Sequence, residues 1–315
     1  EAIAEVVRNP TGHTLATEEL IEAASGCEVI VAHRSTPGDA ALFERSPDLL
    51  AFLRCAVDIS TVDVDAASAR GVVVARADKS YVASTAELAL GLCLDAARGI
   101  SASTHDYRSD REPPQQAGRQ LRGAVAGIIG YGAIGSHLAD LLVAIGMTVL
   151  VHDPAVDPGA AIERVDFGRL LARADVVVPL TPGGAETENL IGAAELAAMR
   201  PGAILVNVSR GEVLDEDAVE AALDSGHLGA LAIDVGRAGD QRPSRRRASR
   251  ADVVATPHLG GLTPENADAQ AASSVEQVEA MIAGEMPPRA VNPECATRLA
   301  AWWSRRNPPT LPEDP

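Results

Sequence analysis

The chain has 315 residues, a length that suits two domains of middling size and allows an ample core. Its 44 acidic residues against 27 basic ones give a formal charge of −17 at pH 7. That balance argues against nucleic acid or an anionic membrane as a partner, because both reward a basic surface.

Lys79 is the only lysine and alanine is abundant, which reads as a composition bias with no functional content. Cys27, Cys55, Cys93 and Cys295 are scattered, so reduced and mostly buried thiols are expected, with neither a disulfide framework nor a metal site. The absence of a signal peptide and of an apolar run of bilayer length predicts a cytoplasmic protein. The first residue is Glu1, not methionine, so a natural N-terminus further upstream is expected.

In chain order, a first strand is expected upstream of, or at, Ala2 to Val7, followed by a helix over Thr17 to Ala24 and a strand over Glu28 to Ala32. A further strand is predicted near Leu49 to Val57, a short helix capped by Asp63 and Asp65 that ends at Gly71, and a strand over Val72 to Ala75. These short alternating elements make a small α/β domain. Ser84 to Arg98 reads as one long helix with Ser84 as its N-cap, and the polar, proline-bearing stretch 105–120 suits a crossing between domains.

A larger repeating pattern begins at Gly123. Six strands are predicted, over Ala124 to Ile129, Thr148 to Val151, Asp175 to Val178, Ala203 to Val208, Ala230 to Ile233 and Val253 to Ala255, with helices between most of them. Six such strands fit a doubly wound parallel sheet. A last helix over Ala267 to Ala283 precedes a proline-rich end, PPTLPEDP, that is expected to fray.

The most informative stretch is Gly123 to Asp153, in which a buried strand runs into Gly130-Tyr131-Gly132-Ala133-Ile134-Gly135, then a helix from Ser136 to Ile145, then a second strand with Asp153 at its tip. Gly130 permits the tight turn, Gly132 removes a side chain that would block a pyrophosphate, and Gly135 lets the helix lie close on the sheet. Phosphates then meet a helix N-terminus. Asp153 can accept both hydroxyls of an adenosine ribose and would repel a 2′-phosphate, which points to NAD as the cofactor.

Ligands of such sheets sit beyond the carboxyl ends of the strands, where three further groups fall. Arg210, in Asn207-Val208-Ser209-Arg210-Gly211, offers a planar fork for a carboxylate. Asp234 ends the next strand, where it can hold a loop or touch the nicotinamide. His258, in Thr256-Pro257-His258-Leu259-Gly260-Gly261, can take or give a proton near neutral pH. Beside a nicotinamide these are the parts needed to oxidise a 2-hydroxy acid or reduce a 2-keto acid. The run Arg242 to Arg250 is expected as a solvated loop or as a patch that steers an anionic substrate.

At this point the sequence resembles the D-isomer-specific 2-hydroxyacid dehydrogenases, on TVDVDAASARGVVV, TAEL, GYGAIG, NVSRG, AIDV and TPHLGG, in that order and over nearly the whole chain. The resemblance implies two Rossmann-like α/β domains with doubly wound parallel sheets, an NAD-binding domain over 101–285 inserted into a discontinuous substrate domain of 1–100 with 286–315. It implies a cofactor site of Gly130, Gly132, Ala133, Ile134, Gly135, Asp153, Pro154, Leu180, Thr181, Val208, Ser209, Asp234 and Gly260. It further implies that Arg210 binds the substrate carboxylate and carbonyl, that His258 is the acid/base, that Ala56 and Val57 meet the substrate, and that the chain forms a homodimer through the cofactor domain.

The sequence also departs from the family. The catalytic glutamate expected five residues after Asp234 is Gly239, and Asp240 is the nearest substitute, either as the partner of His258 or as a loop aspartate in water. The usually glycine-rich substrate loop reads Cys55-Ala56-Val57-Asp58. Hydride transfer between NAD and C2 of a small 2-hydroxy or 2-keto acid is the first reading. A non-catalytic, NAD-sensing corepressor-like protein and a formate- or phosphite-type dehydrogenase are the alternatives.

Overall fold

The computed structural model describes residues 3–159 and 162–306. The chain falls into two compact units, Glu1–Ser80 with Pro264–Pro315, and Tyr81–Thr263.

In the first unit the chain runs through α1 (Thr17–Ala23), β1 (Val29–Ala32), α2 (Ala40–Arg45), β2 (Ala51–Arg54), α3 (Val64–Ala69) and β3 (Val73–Arg76). The strands form a parallel sheet in the order β1-β2-β3. Asp39 and Asp63 cap α2 and α3 by accepting the amides of Leu42 and Ala66. β2 alternates in the way a doubly covered strand must, with Phe52 packing on one side with Leu42 and Phe43, and Ala51 and Leu53 on the other. β2 stops at Arg54, so Cys55 to Asp58 form a loop and not the end of a strand. No strand forms over 3–16; Ala2, where the earliest expected strand could begin, lies outside the described residues.

The second unit holds α4 (Val82–Arg98), α5 (Ile100–Arg108), β4 (Val125–Ile129), α6 (Ala133–Ala144), β5 (Thr148–His152), β6 (Glu163–Arg164), α7 (Phe167–Arg173), β7 (Val176–Pro179), α8 (Ala193–Ala198), β8 (Ala203–Asn207), α9 (Glu216–Asp224), β9 (Leu228–Ile233), α10 (Arg245–Ala248) and β10 (Val253–Ala255). Its sheet is parallel, in the order β10-β9-β8-β7-β4-β5-β6. The six predicted strands are present, and β6 adds a seventh at the edge. The order reverses between β4 and β7, the topological switch at which ligands bind in such sheets. One face of the sheet is covered by α4 and α6, through Ala89, Leu92, Leu138 and Leu142. The other is covered by α7, α8 and α9, through Leu170, Leu196 and Val219.

The chain then returns to the first unit as α11 (Pro264–Ala283) and α12 (Thr297–Arg306). Both pack on β2 and β3, where Met281 and Leu299 join Ala51, Leu53, Val73 and Ala75. Trp303 donates to the carbonyl of Met281 and Trp302 to Glu28. The expected fraying of PPTLPEDP concerns residues outside the described ones.

Three boundaries differ from expectation. The units divide at 80/81 and 263/264, not at 100/101 and 285/286, because the buried face of α4 belongs to the core of the large sheet and that of α11 to the small one. Only the start of the stretch expected as a crossing, residues 105–108, is helical, as the end of α5 (Ile100–Arg108). α4 begins at Val82 with Tyr81 as N-cap, and Ser84 Oγ donates to the Tyr81 carbonyl, so Ser84 caps nothing. Of the cysteines, Cys93 alone is buried, its thiol pushed up to about 12 by burial; the other three are half-buried, and none is in a disulfide. Among the described residues no helix is long and apolar enough to cross a membrane, and no group of His, Cys, Asp and Glu could hold a metal ion.

Candidate active site

The turn after β4 has the geometry its glycines require. Gly130 has φ +98°, and a Cβ there would stand 2.9 Å from the Leu180 carbonyl oxygen, so only glycine passes between the ends of β4 and β7. A Cβ on Gly135 would lie 2.2 Å from the Gly130 carbonyl oxygen, so the first turn of α6 sits hard against the strand exit. Gly132, the N-cap of α6, is different, because a Cβ there would meet nothing within 4 Å. Its missing side chain leaves open space in front of a helix N-terminus, where unpaired N–H groups favour an anion. Beside the turn, Thr181 Oγ1 is buried with no partner among the described residues. A bound group would satisfy it.

Asp153 follows β5 and is 9% exposed. Its Oδ2 accepts the amide of Tyr131 at 2.7 Å, and its Oδ1 accepts those of Ala155 and Val156, each at 2.8 Å. Burial opposes its ionisation, but the three amides and the nearby Arg164 guanidinium outweigh burial and hold the carboxyl below its ordinary value. A carboxylate has about four acceptor positions and three are filled, so Oδ2 has room for one ribose hydroxyl, where the sequence reading gave Asp153 both.

Arg210, Asp234 and His258 stand on loops that leave three neighbouring strands, β8, β9 and β10, in step. Asp234 N donates to the Asn207 carbonyl at 3.0 Å and Thr256 N to that of Ile233 at 2.9 Å. Asn207, fully buried, builds the first loop: its Oδ1 accepts the amide and hydroxyl of Ser209, and its Nδ2 donates to the carbonyl of Arg210. Gly211 closes the loop, since a Cβ there would lie 2.1 Å from the carbonyl carbon of Gly236. Arg210 is half-buried and its Nη1 donates to the Ser209 carbonyl at 2.8 Å.

Asp234, 1% exposed, grips the third loop. Its Oδ1 accepts Thr256 Oγ1 at 2.6 Å and the amide of Leu259 at 2.7 Å, and its Oδ2 accepts the amide of Gly260 at 2.8 Å. Between these contacts His258 has φ +64°, in the left-handed region that costs a non-glycine residue free energy. Of the two roles open to Asp234, holding a loop is the one these contacts serve.

Asp240 does not take up the position vacated at Gly239. Its Oδ1 accepts the amide of Arg242 and its Oδ2 pairs with Arg242 Nε at 3.4 Å, with the side chain 56% exposed. What it presents to His258 is its main-chain oxygen, 3.4 Å from Nδ1. Of the two readings of Asp240, the loop aspartate in water is the one these contacts fit, because a tight turn and an adjacent guanidinium claim both carboxylate oxygens. The arginine run is only partly the solvated loop expected, since Arg242 and Arg246 are exposed but Arg247 and Arg250 are largely covered. Arg246 pairs with Glu220, the 7% exposed Arg247 with Glu216 and Glu220, and Arg250 with Asp224 and Asp252. Glu216, Glu220 and Asp224 recur every four residues along α9, so α10 and its flanks dock on one acidic stripe.

Ala56 and Val57 belong to the first unit, in the loop beyond the carboxyl end of β2, with the Ala56 carbonyl accepting the amide of Ala77 at 3.1 Å. The sequence reading passed over Asn207, Thr256 and Arg237. The Asn-x-Ser spacing is the signal for the first, since such side chains bond the backbone two residues on. Arg237 pairs with Glu188 and donates to the carbonyls of Glu212 and Leu214, which pins the loop after β9 to the segment after Arg210.

The model of the D-isomer specific 2-hydroxyacid dehydrogenase NAD binding domain matches residues 90–260. D-3-phosphoglycerate dehydrogenase of Mycobacterium bovis is 36% identical over 280 residues, 87% of this chain and 53% of that protein, so the chain spans about half the length of such relatives. Hydroxypyruvate reductase of Thermotoga maritima is 32% identical over 276 residues, 85% of this chain and 88% of that one. The apo-structure of D-lactate dehydrogenase from Escherichia coli superposes with a TM-score of 0.80 at 26% identity, covering 88% of this chain and 90% of the other. The chain belongs to the D-isomer specific 2-hydroxyacid dehydrogenase family and carries that family's NAD-binding domain.

Proposed function

We propose that the protein is an NAD-dependent oxidoreductase that interconverts a small 2-hydroxy acid and its 2-keto acid. The observation that carries this reading is the alignment of Arg210, Asp234 and His258 on loops leaving adjacent strands at the carboxyl edge of the NAD-binding sheet. NAD, when bound, supplies or accepts the hydride at C2. The open space at Gly132, the orphaned Thr181 hydroxyl and the spare acceptor on Asp153 fit a dinucleotide. Ala133, Ile134, Pro154, Leu180, Val208, Ser209 and Gly260 complete the binding set.

In this reading Arg210 holds the substrate carboxylate with its planar fork and stabilises negative charge that develops on the C2 oxygen. His258 gives a proton to that oxygen in reduction and takes it in oxidation. Nδ1, facing the Asp240 carbonyl, carries a hydrogen in this reading, and Nε2 is the nitrogen assigned to the proton transfer. Asp234 acts through the loop and keeps His258 in its left-handed conformation. Two copies associate through the NAD-binding unit, where α5 buries no residue and leaves Ile100 and Tyr107 exposed.

A second reading, an NAD-sensing protein without turnover, draws on Gly239 and on the outward carboxylate of Asp240. A panel of 2-keto acids with NADH separates the two. Oxidation of NADH that depends on the keto acid supports the enzyme, and NADH binding without turnover of any member supports the sensor.

A further inference from the structure

Two features at the far end of the second strand of the cofactor fold pull in opposite directions. Asp153 repels a 2′-phosphate. Arg164, on β6, stands beside it, since β6 pairs in parallel with β5 and sets Arg164 level with Val151, two residues before Asp153. Its Nη2 donates to the main-chain oxygens of Asp153 at 2.7 Å and Pro154 at 3.2 Å. These bonds fix the plane of the guanidinium at the turn and employ only Nη2. Among the described residues Nε and Nη1 bond no acceptor, and the residue is exposed. The carboxylate oxygens face the amides of Tyr131, Ala155 and Val156, so Arg164 is not consumed in a salt bridge with Asp153.

We propose that Arg164 is a second determinant of cofactor choice: it binds the 2′-phosphate of a phosphorylated adenosine ribose, so that the chain accepts NADP as well as NAD. The proposal rests on the reading of Asp153 as the ribose acceptor. A fixed, planar, always-charged fork suits a phosphate dianion, whereas Asp153 favours the free hydroxyl. The balance between these two side chains sets the discrimination.

The test is calorimetric titration of the full chain with adenosine 5′-monophosphate and with adenosine 2′,5′-bisphosphate. The two probes differ by one phosphate and carry no nicotinamide, so the result does not depend on catalysis. In the wild type both should bind. Arg164→Gln should weaken the bisphosphate about tenfold and the monophosphate less than about twofold, and Arg164→Lys should recover part of the loss, because a charge remains without the fork. Equal losses for both probes would mean that Arg164 only holds the Asp153 turn, and would overturn the proposal, as would unchanged affinities. Binding of neither probe by the wild type would overturn the reading of Asp153, and the proposal with it.

Discussion

His258 Nδ1 lies 3.4 Å from the main-chain oxygen of Asp240, while the Asp240 carboxylate is turned to Arg242. A carbonyl orients an imidazole without changing charge over the working pH range, so it survives any substitution that keeps the backbone in place. Asp240→Asn should therefore leave the alkaline fall of kcat/KM for keto-acid reduction where it is in the wild type. A shift of that limb to lower pH would show that the carboxylate reaches His258 in the working enzyme.

Arg210→Lys should cost about 2 to 4 kcal/mol in transition-state binding, because one ammonium cannot reproduce two parallel bonds to a carboxylate. The check is kcat/KM on the best 2-keto acid. Wild-type efficiency would remove Arg210 from the carboxylate site.

Asp234→Asn replaces one acceptor oxygen by a donor that faces the amide of Gly260 or of Leu259. The loop should then relax from the left-handed conformation at His258, and kcat should fall more than KM rises. A loss of about 1 to 3 kcal/mol is the scale for a buried acceptor removed from its donors. A change confined to KM for NADH would assign Asp234 to the nicotinamide instead of the loop.

Asp153 links stability to pH. Its carboxyl is held below its ordinary value in the folded chain, so its contribution is full above the unfolded value of about 3.9 and is lost as pH falls through the lower folded value. Asp153→Asn should lower Tm at pH 7, and the gap from wild type should narrow in the acid range below the unfolded value. A gap that is constant with pH would mean that charge plays no part at this position.

Arg247→Leu removes one partner of a largely buried pair. Glu216 and Glu220 retain side-chain exposures of 30% and 19%, so water recovers part of the loss, and a cost of about 1 to 3 kcal/mol is expected from thermal or denaturant unfolding. No loss of stability would contradict the docking of α10 on α9.

What was legible in the sequence is what repeats or is locally determined. Apolar runs bounded by glycine marked the strands of the large sheet, and the hexad from Gly130 to Gly135 marked its ligand edge, because a tight turn leaves few choices of residue there. What was not legible depends on residues remote in sequence. The placement of α4 and α11 follows from which sheet buries each helix, and helical spacing alone does not name the sheet. Asp240 is the sharpest case: position in the sequence brought it within one residue of the expected glutamate, but the adjacent Arg242 and a turn through Gln241, itself at φ +61°, direct its side chain outward. Arg247 looked like solvated charge because its partners lie on α9, well upstream in the chain.

The central claim is hydride transfer to C2 with proton delivery from His258. Reduction of a turned-over 2-keto acid with NADH deuterated at the transferred position, followed by mass spectrometry and chiral analysis of the product, tests it most directly. The account predicts a D-2-hydroxy acid that carries the label at C2 from the wild type, and strongly reduced formation of the same labelled product from His258→Ala. Product without label at C2, or His258→Ala with wild-type turnover, would contradict it.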